Sequence, residues 1–198
     1  MTLANLRINI GRLTAKIEDL AEIGAIAGGG VCRMALTDED RQGRDMVVKW
    51  MHELGLEVTV DQIGNVIGIR AGQESGRPVM TGSHIDTVAS GGRYDGNLGV
   101  LAGLEVIATL NDAEITTRKP IGVGFFTNEE GSSFAPDMMG SGVHQGAFEL
   151  KSMLDVLDID GARVGDELEK IGYAGETPTG DFRADSFVEL HVEQGPIL

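Results

Sequence analysis

The sequence predicts an α/β fold in which helices flank a mixed, largely parallel sheet. The main observation is a strand-like segment at residues 79–86, a helical pattern at residues 100–110 and a second apolar strand from residue 121. That spacing is typical of a parallel crossover unit. A second observation is the pair of segments "LEVTVD" and "VIGIR", which are joined by "IGN" and predict an antiparallel hairpin.

Two amphipathic helices are predicted before the hairpin. The first has an apolar residue at every third or fourth position and ends before the glycines at 28–30. Its stripe consists of Leu6, Ile10, Leu13, Ile17 and Leu20. The second helix begins at Thr37, whose hydroxyl caps the acidic run 38–40, and it stops at Gly55. Its inward residues are Met46, Val47, Trp50, Met51 and Leu54, whereas His52 lies off this stripe and is expected in solvent.

The remaining elements follow from shorter patterns. The crossover helix has apolar residues at Val100, Leu101, Leu104, Ile107 and Leu110. Beyond residue 131, helical turns are predicted around residues 135–145 and 164–172. The segment "SFVELHVEQG" predicts a last strand that begins at Ser186.

Composition and charge exclude several classes of function. The formal charge of -15 repels polyanions, so nucleic acid and anionic membrane surfaces are poor candidate partners. No apolar run reaches the roughly 18 residues that a membrane-spanning helix needs. The single cysteine, Cys32, and an N-terminus without the order of a secretory signal favour a cytoplasmic setting.

Three of the predicted strands end in residues of the types that bind metals or transfer protons. These residues are His84, Asp86, Glu129, Glu130 and His191. Because parallel strands end at one edge of a sheet, these side chains are expected to converge there. Asp95 lies in the glycine-rich loop "GGRYDGN", which can fold back over the same edge.

The spacing within each pair suggests different tasks. Residues two apart on a strand face the same side, so the Asp86 carboxylate can reach the imidazole of His84 and fix its tautomer. Glu129 and Glu130 are adjacent and face opposite sides, which suits one metal ligand and one general base. Each feature alone also has a structural explanation: a hydrogen-bonded histidine, an acidic first helical turn, or a glycine-rich turn that can cradle phosphate.

Three motifs together resemble one family. The segments "TGSHIDTVASGGRYDGNLGVLAGLEV", "FFTNEEGSSF" and "VELHVEQGPIL", in this order and spacing, are similar to the amidohydrolase branch of the M20 metallopeptidases. Weaker similarity at "GGGVCRMALTDEDRQGRDMVVKWMHELGLEVTVDQIGNVIG" extends this resemblance over nearly the whole chain. The branch includes N-carbamoyl-L-amino acid hydrolases, β-ureidopropionases and allantoate amidohydrolases. The resemblance therefore implies a zinc-exopeptidase-like catalytic domain.

The resemblance also implies a role for each motif residue. His84 and His191 would bind one divalent metal ion, Glu130 would bind a second ion, and Asp95 would bridge both. Zinc, manganese, cobalt or nickel would suit these ligands. Glu129 would be the general base and Asp86 would hold His84, whereas Gln194 in "HVEQG" would contact the ureido or carboxylate group of the substrate. His144 matches no ligand position of the family.

The implied reaction is metal-assisted hydrolysis of a small ureido substrate. An N-carbamoyl-L-amino acid would give the amino acid, carbon dioxide and ammonia. Allantoate and N-carbamoyl-β-alanine remain alternative substrates, because the motifs do not separate them. An aminopeptidase is less favoured, because "HVEQG" marks the amidohydrolase branch.

Family members are longer than this sequence. They continue with a lid and dimerisation domain, and then return to the catalytic domain with a last histidine for the metal shared with Glu130. We therefore expect residues 1–198 to form the N-terminal part of an incomplete catalytic domain, with a second metal that is weakly bound or absent. The complete family protein is expected to be a homodimer. An alternative of another class is a metal-binding or interaction fragment without turnover.

Overall fold

The computed structural model describes residues 5–192, and the predicted contact of Gln194 lies outside them. Its helices are α1 (Ile10–Ala21), α2 (Asp38–Glu53), α3 (Asn97–Asp112), α4 (Met139–Gln145), α5 (Leu150–Leu154) and α6 (Val164–Ile171). Its strands are β1 (Glu57–Val60), β2 (Val66–Arg70), β3 (Val79–Ser83), β4 (Ile121–Phe125) and β5 (Ser186–Val188). None of the helices in this part of the chain combines the length and apolarity needed to cross a bilayer.

The strands form one mixed sheet in the order β1-β2-β4-β3-β5. β2 pairs antiparallel with both β1 and β4, whereas β3 pairs parallel with both β4 and β5. Within the described residues, β2 is therefore the one strand that runs against the others. The predicted hairpin, the parallel crossover and the largely parallel sheet are all confirmed.

Helix α1 begins later than its apolar pattern predicts. The Asn9 side chain accepts a hydrogen bond from the backbone N–H of Arg12 at 3.1 Å, so the helix starts at Ile10. Leu6 therefore precedes the helix, and Ile10 is 68% exposed, so the predicted stripe is wrong at both positions. Its other three residues are buried, and α1 packs against α3.

Helix α2 has the predicted ends. The Thr37 hydroxyl accepts from the backbone N–H of Asp40 at 3.3 Å, and the chain leaves the helix through Gly55 at φ 78°. His52 is exposed, as predicted. The helix packs against β1 and β2, and its inward face includes the fully buried Met51.

Helix α3 lies directly on the sheet. A Cβ atom at Gly103 would lie 2.6 Å from the Thr81 side chain, so glycine allows the helix backbone to approach β3 closely. All five apolar positions predicted for this helix are buried. Because α3 connects two parallel strands, its first residue lies at the carboxyl edge of the sheet, beside the loop of Asp95.

Three strands end earlier than predicted, and the first of them, β3, ends at Ser83 instead of Asp86. β4 ends at Phe125, and a turn with Asn128 at φ 51° separates it from Glu129. β5 ends at Val188, so His191 lies three residues beyond the strand. The helical turns predicted around residues 135–145 and 164–172 are confirmed as α4, which begins only at Met139, and α6, whereas the short α5 is not predicted by the sequence.

Candidate metal centre

Three predicted ligands meet at the carboxyl edge of the sheet. The Oδ1 atom of Asp95 lies 3.0 Å from Nε2 of His191 and 3.7 Å from Nε2 of His84. One ligand atom from each residue lies within 4.8 Å of the other two. His84 and Asp95 are buried, whereas the His191 side chain is 38% exposed. The group therefore forms a possible metal-binding triad with one open side.

The imidazole of His84 is held by the backbone of Asp86. Its Nδ1 atom lies 2.9 Å from the Asp86 carbonyl oxygen. Because a carbonyl only accepts, Nδ1 carries a proton, and Nε2 is the ring nitrogen that faces Asp95 and can bind a metal. The sequence predicts that the Asp86 carboxylate makes this contact, but its Oδ1 atom lies 3.9 Å from Nδ1.

The Asp86 carboxylate instead joins two loops. Oδ1 accepts from the backbone N–H of Glu129 and Oδ2 accepts from that of Glu130, each at 3.3 Å. The side chain is 2% exposed, and this burial raises the pKa of Asp86 to about 6. Asp86 therefore ties the loop after β3 to the loop after β4.

The loop of Asp95 approaches His84 through a glycine. Gly96 has φ 64°, and a Cβ atom there would lie 2.5 Å from three ring atoms of His84. The next residue, Asn97, donates its backbone N–H to the Asp95 carbonyl at 2.6 Å and begins α3. Only glycine fits both the backbone conformation and the contact with the ring.

Glu129 and Glu130 reach the centre differently. Oε2 of Glu129 lies 3.3 Å from Nε2 of His84, and its side chain is 28% exposed. Oε1 of Glu130 is buried and has no hydrogen-bond partner among residues 5–192, and burial raises the pKa of this carboxyl. Glu129 is thus partly exposed next to the His84 nitrogen of the triad, whereas the Glu130 oxygen is buried.

The electrostatics of the centre suit a cation. Burial by itself lowers the pKa of His84, but Asp95, Asp86 and Glu129 outweigh it and raise the value to about 9. Nε2 of His84 is buried without a hydrogen-bond partner among the described residues. Imidazole nitrogens and carboxylate oxygens are ligands of zinc and similar divalent metals, so the residues present fit such an ion.

A cavity of about 360 Å³ lies beside Glu129. Its lining is mostly apolar and comes from four separate parts of the chain, including Phe126, Met138, His144, Phe182 and Phe187. The rings of Phe126 and His144 meet edge to face with centroids 5.9 Å apart. The sequence gives no signal for this cavity, because its walls meet only in the folded chain.

Comparison with known proteins agrees with this fold. Residues 80–198 match the model of Peptidase family M20/M25/M40, and the chain belongs to that family. The resemblance to M20 amidohydrolases is confirmed by relatives with such names. An N-carbamoyl-L-amino-acid amidohydrolase of Rhizobium meliloti is 43% identical over 195 residues, which are 98% of this chain and 47% of that protein. An allantoate amidohydrolase of Bacillus subtilis is 36% identical over 94% of this chain and 46% of its own length.

Solved structures show the same relationship. A hydantoinase/carbamoylase family amidase from Burkholderia ambifaria has a TM-score of 0.93 and 47% sequence identity to this chain. The match covers 97% of this chain and 47% of that structure. The chain thus spans about half the length of the curated relatives and structures it matches.

Proposed function

We propose that this chain provides the N-terminal part of the catalytic domain of a metal-dependent amidohydrolase that cleaves the ureido C–N bond of N-carbamoyl-L-amino acids. The observation that carries the proposal is the position of Glu129. Its carboxylate is partly exposed and lies 3.3 Å from Nε2 of His84, the ring nitrogen that belongs to the triad with Asp95 and His191. The 43% identity to an N-carbamoyl-L-amino-acid amidohydrolase supports this substrate class.

His84, Asp95 and His191 would hold the first divalent cation. When bound, such an ion lowers the pKa of a water molecule and polarises the scissile carbonyl. Asp95 and Glu130 would hold a second cation more weakly, because residues 5–192 offer no third ligand next to Glu130. Zinc, manganese, cobalt and nickel all suit these ligands.

Glu129 would transfer the proton. Its carboxylate takes the proton of the attacking water and then delivers it to the leaving nitrogen, and the carbamate that is released breaks down to carbon dioxide and ammonia. Asp86 would set the position of this base, because it accepts hydrogen bonds from the backbone of Glu129 and Glu130 and its carbonyl orients His84.

The cavity beside Glu129 would receive the side chain of the substrate. Its apolar walls suit an apolar amino-acid side chain, and Gln194 would contact the ureido or carboxylate group. A cytoplasmic homodimer without nucleic-acid or membrane partners is the assembly that we propose for the complete protein. Allantoate is the second candidate substrate, because the Bacillus subtilis allantoate amidohydrolase is 36% identical to this chain.

Ammonia release tests the proposal. The chain alone, and a chimaera in which it is continued by the second half of the Rhizobium meliloti relative, would be loaded with zinc, manganese or cobalt. N-carbamoyl-L-amino acids, N-carbamoyl-β-alanine and allantoate would be the substrates. We expect the chimaera to hydrolyse N-carbamoyl-L-amino acids fastest and Glu129→Gln to abolish turnover.

Two results would count against this proposal. A folded, metal-loaded chimaera that hydrolyses none of the three substrates would overturn the enzyme assignment and favour a metal-binding fragment. If allantoate is hydrolysed fastest, the substrate assignment is wrong, whereas the assignment as a metal-dependent amidohydrolase stands.

A further inference from the structure

Arg33 is a fully buried arginine between α1 and α2 that the reaction does not use directly. Its relative exposure is 0%, although arginine is rarely buried without a carboxylate partner. No carboxylate forms a hydrogen bond with its guanidinium group among the contacts that the structure describes. Burial lowers the pKa of Arg33 to about 10, and the more distant charges of Asp40 and Asp86 oppose this effect.

The guanidinium group donates to four neutral oxygen atoms. Nη1 donates to the carbonyls of Leu20 at 2.9 Å and Ile23 at 2.8 Å, at the end of α1. Nε donates to the Ile85 carbonyl at 2.9 Å, and Nη2 donates to Oδ1 of Asn97 at 3.0 Å. A planar group with five N–H donors in a fixed arrangement can satisfy such spread acceptors, and lysine cannot.

Two of these acceptors belong to the loops that hold the triad. Ile85 is the residue between His84 and Asp86. Asn97 donates its backbone N–H to the Asp95 carbonyl at 2.6 Å. One guanidinium group therefore links the loop of His84 to the loop of Asp95, and it reaches neither ligand itself.

The backbone of Arg33 strengthens the same link. Its N–H donates to Oγ1 of Thr87 at 2.8 Å, and its carbonyl accepts from the N–H of Thr87 at 2.9 Å. The loop of residues 84–87 is therefore held by Arg33 from both its side chain and its main chain. This loop has no sheet partner that could hold it instead, because β3 ends at Ser83.

We propose that Arg33 is a positioning residue that sets the separation between His84 and Asp95 and so determines the affinity of the triad for a divalent cation. The inference rests on the proposed function, because it needs the triad to bind a metal. The inference goes beyond the proposed function because it assigns a role to a residue that contacts neither the metal ligands nor the substrate cavity. Groups that hydrogen-bond metal ligands directly typically contribute about 10–100-fold to metal affinity, and Arg33 acts one residue further away, so we expect the lower end of that range.

Gly43 offers an independent way to disturb Arg33. This glycine lies in α2, and a Cβ atom there would be 2.7 Å from Cδ of Arg33. Alanine in a helix interior is otherwise favoured over glycine by about 1 kcal/mol. Gly43→Ala should therefore displace the guanidinium group while α2 itself is stabilised.

The test measures the zinc dissociation constant of the 198-residue chain by competition with a chromophoric chelator. The variants are Arg33→Lys, Arg33→Ala and Gly43→Ala. Arg12→Gln is the matched control, since Arg12 also donates to a buried partner, Glu105, but joins α1 to α3 away from the triad. Urea unfolding of each metal-free protein separates loss of stability from loss of affinity.

We expect Arg33→Lys and Arg33→Ala to weaken zinc binding about tenfold and Gly43→Ala to weaken it less, with Arg12→Gln within about twofold of wild type. Millimolar guanidinium should restore part of the affinity of Arg33→Ala, whereas the same concentration of urea should not. The inference about Arg33 is overturned if the folded Arg33 variants and Gly43→Ala bind zinc as tightly as the wild-type chain does. The proposed function is not affected by that result. A wild-type chain that binds no zinc would overturn the proposed function as well.

Discussion

Gly96 lies directly against the imidazole ring of His84, where a Cβ atom would be 2.5 Å from Cδ2, Cε1 and Nε2. Gly96→Ala should therefore displace the ring from Asp95 and weaken zinc binding at least about tenfold. Gly55→Ala is the control, because Gly55 also has a positive φ of 78° but has no atom within 4 Å of a Cβ. It should lose only about 1 kcal/mol of stability and keep its zinc affinity. Equal zinc affinities in the two variants would contradict the proposed contact.

Asp86→Asn should disturb the position of the general base, Glu129, and leave the metal ligands in place. The amide offers one acceptor where the carboxylate offers two, so the backbone N–H of Glu129 or Glu130 loses its partner. We expect the free energy of unfolding to fall by about 1–3 kcal/mol. The Asp86 carbonyl still accepts from His84, so zinc affinity should change little while turnover of the chimaera falls. A large loss of zinc affinity with retained turnover would contradict the proposal that the Asp86 carboxylate positions Glu129 while its carbonyl orients His84.

Local patterns predict most of the fold but not the shape of the centre. The cap of α2 at Thr37 and the buried face of α3 depend on residues close in sequence, and the pairing of β3 with β4 follows from the order of strand, helix and strand along the chain. The strand alternation from which His84 and Asp86 are placed on one side does not apply to them, because β3 ends at Ser83 and both residues lie beyond it, although their side chains approach to 3.9 Å. Side chains alternate between the two faces of a sheet only within a strand.

Contacts between distant segments explain what the sequence could not predict. Arg33 resembles any surface cation in the sequence, because its acceptors come from α1, the loop after β3 and the start of α3. The distance between His191 and Asp95 depends on the pairing of β5 with β3 and on three residues without regular structure. The role of a motif can thus be inferred from a resemblance, whereas its geometry needs the folded chain.

Helix α2 contains a matched pair of Arg–Asp contacts four residues apart. Arg44 and Asp40 are almost fully buried at 2.8 Å, whereas the side chains of Arg41 and Asp45 are 54% and 58% exposed at 3.8 Å. Arg44→Ala leaves a buried carboxylate unpaired and should cost about 3–5 kcal/mol. Arg41→Ala should cost about 0–0.5 kcal/mol.

The fluorescence of Trp50, the single tryptophan of the chain, would report both values during urea unfolding. Trp50 is buried in the same helix, so its emission follows the loss of the fold around α2. Similar costs for Arg44→Ala and Arg41→Ala would show that burial of the Arg44 pair does not matter.

The contact between Arg12 and Glu105 should make stability depend on pH. Burial by itself raises the pKa of Glu105, but hydrogen bonds from Arg12, Asn9 and Thr109 outweigh it and hold the value below the ordinary 4.5. Because the folded-state pKa is the lower one, the stabilisation is fully present well above pH 4.5 and is lost as the pH falls through the folded value.

Arg12→Gln should therefore lose stability at neutral pH, and this loss should shrink as the pH falls below about 4.5. Urea unfolding of the wild type and the variant at a series of pH values measures the difference. A difference that stays constant over the whole series would show that the Glu105 charge contributes nothing.

The most direct test of the metal centre is anomalous diffraction at the zinc edge from crystals of the chain grown with zinc. We predict one strong anomalous peak from a zinc ion that is bonded to Nε2 of His84, Nε2 of His191 and a carboxylate oxygen of Asp95. The nitrogen–zinc distances should be about 2.0–2.1 Å. The peak should disappear in crystals of His84→Ala. A zinc-loaded crystal with no peak between these three residues, or with the metal bound only elsewhere, would contradict the account.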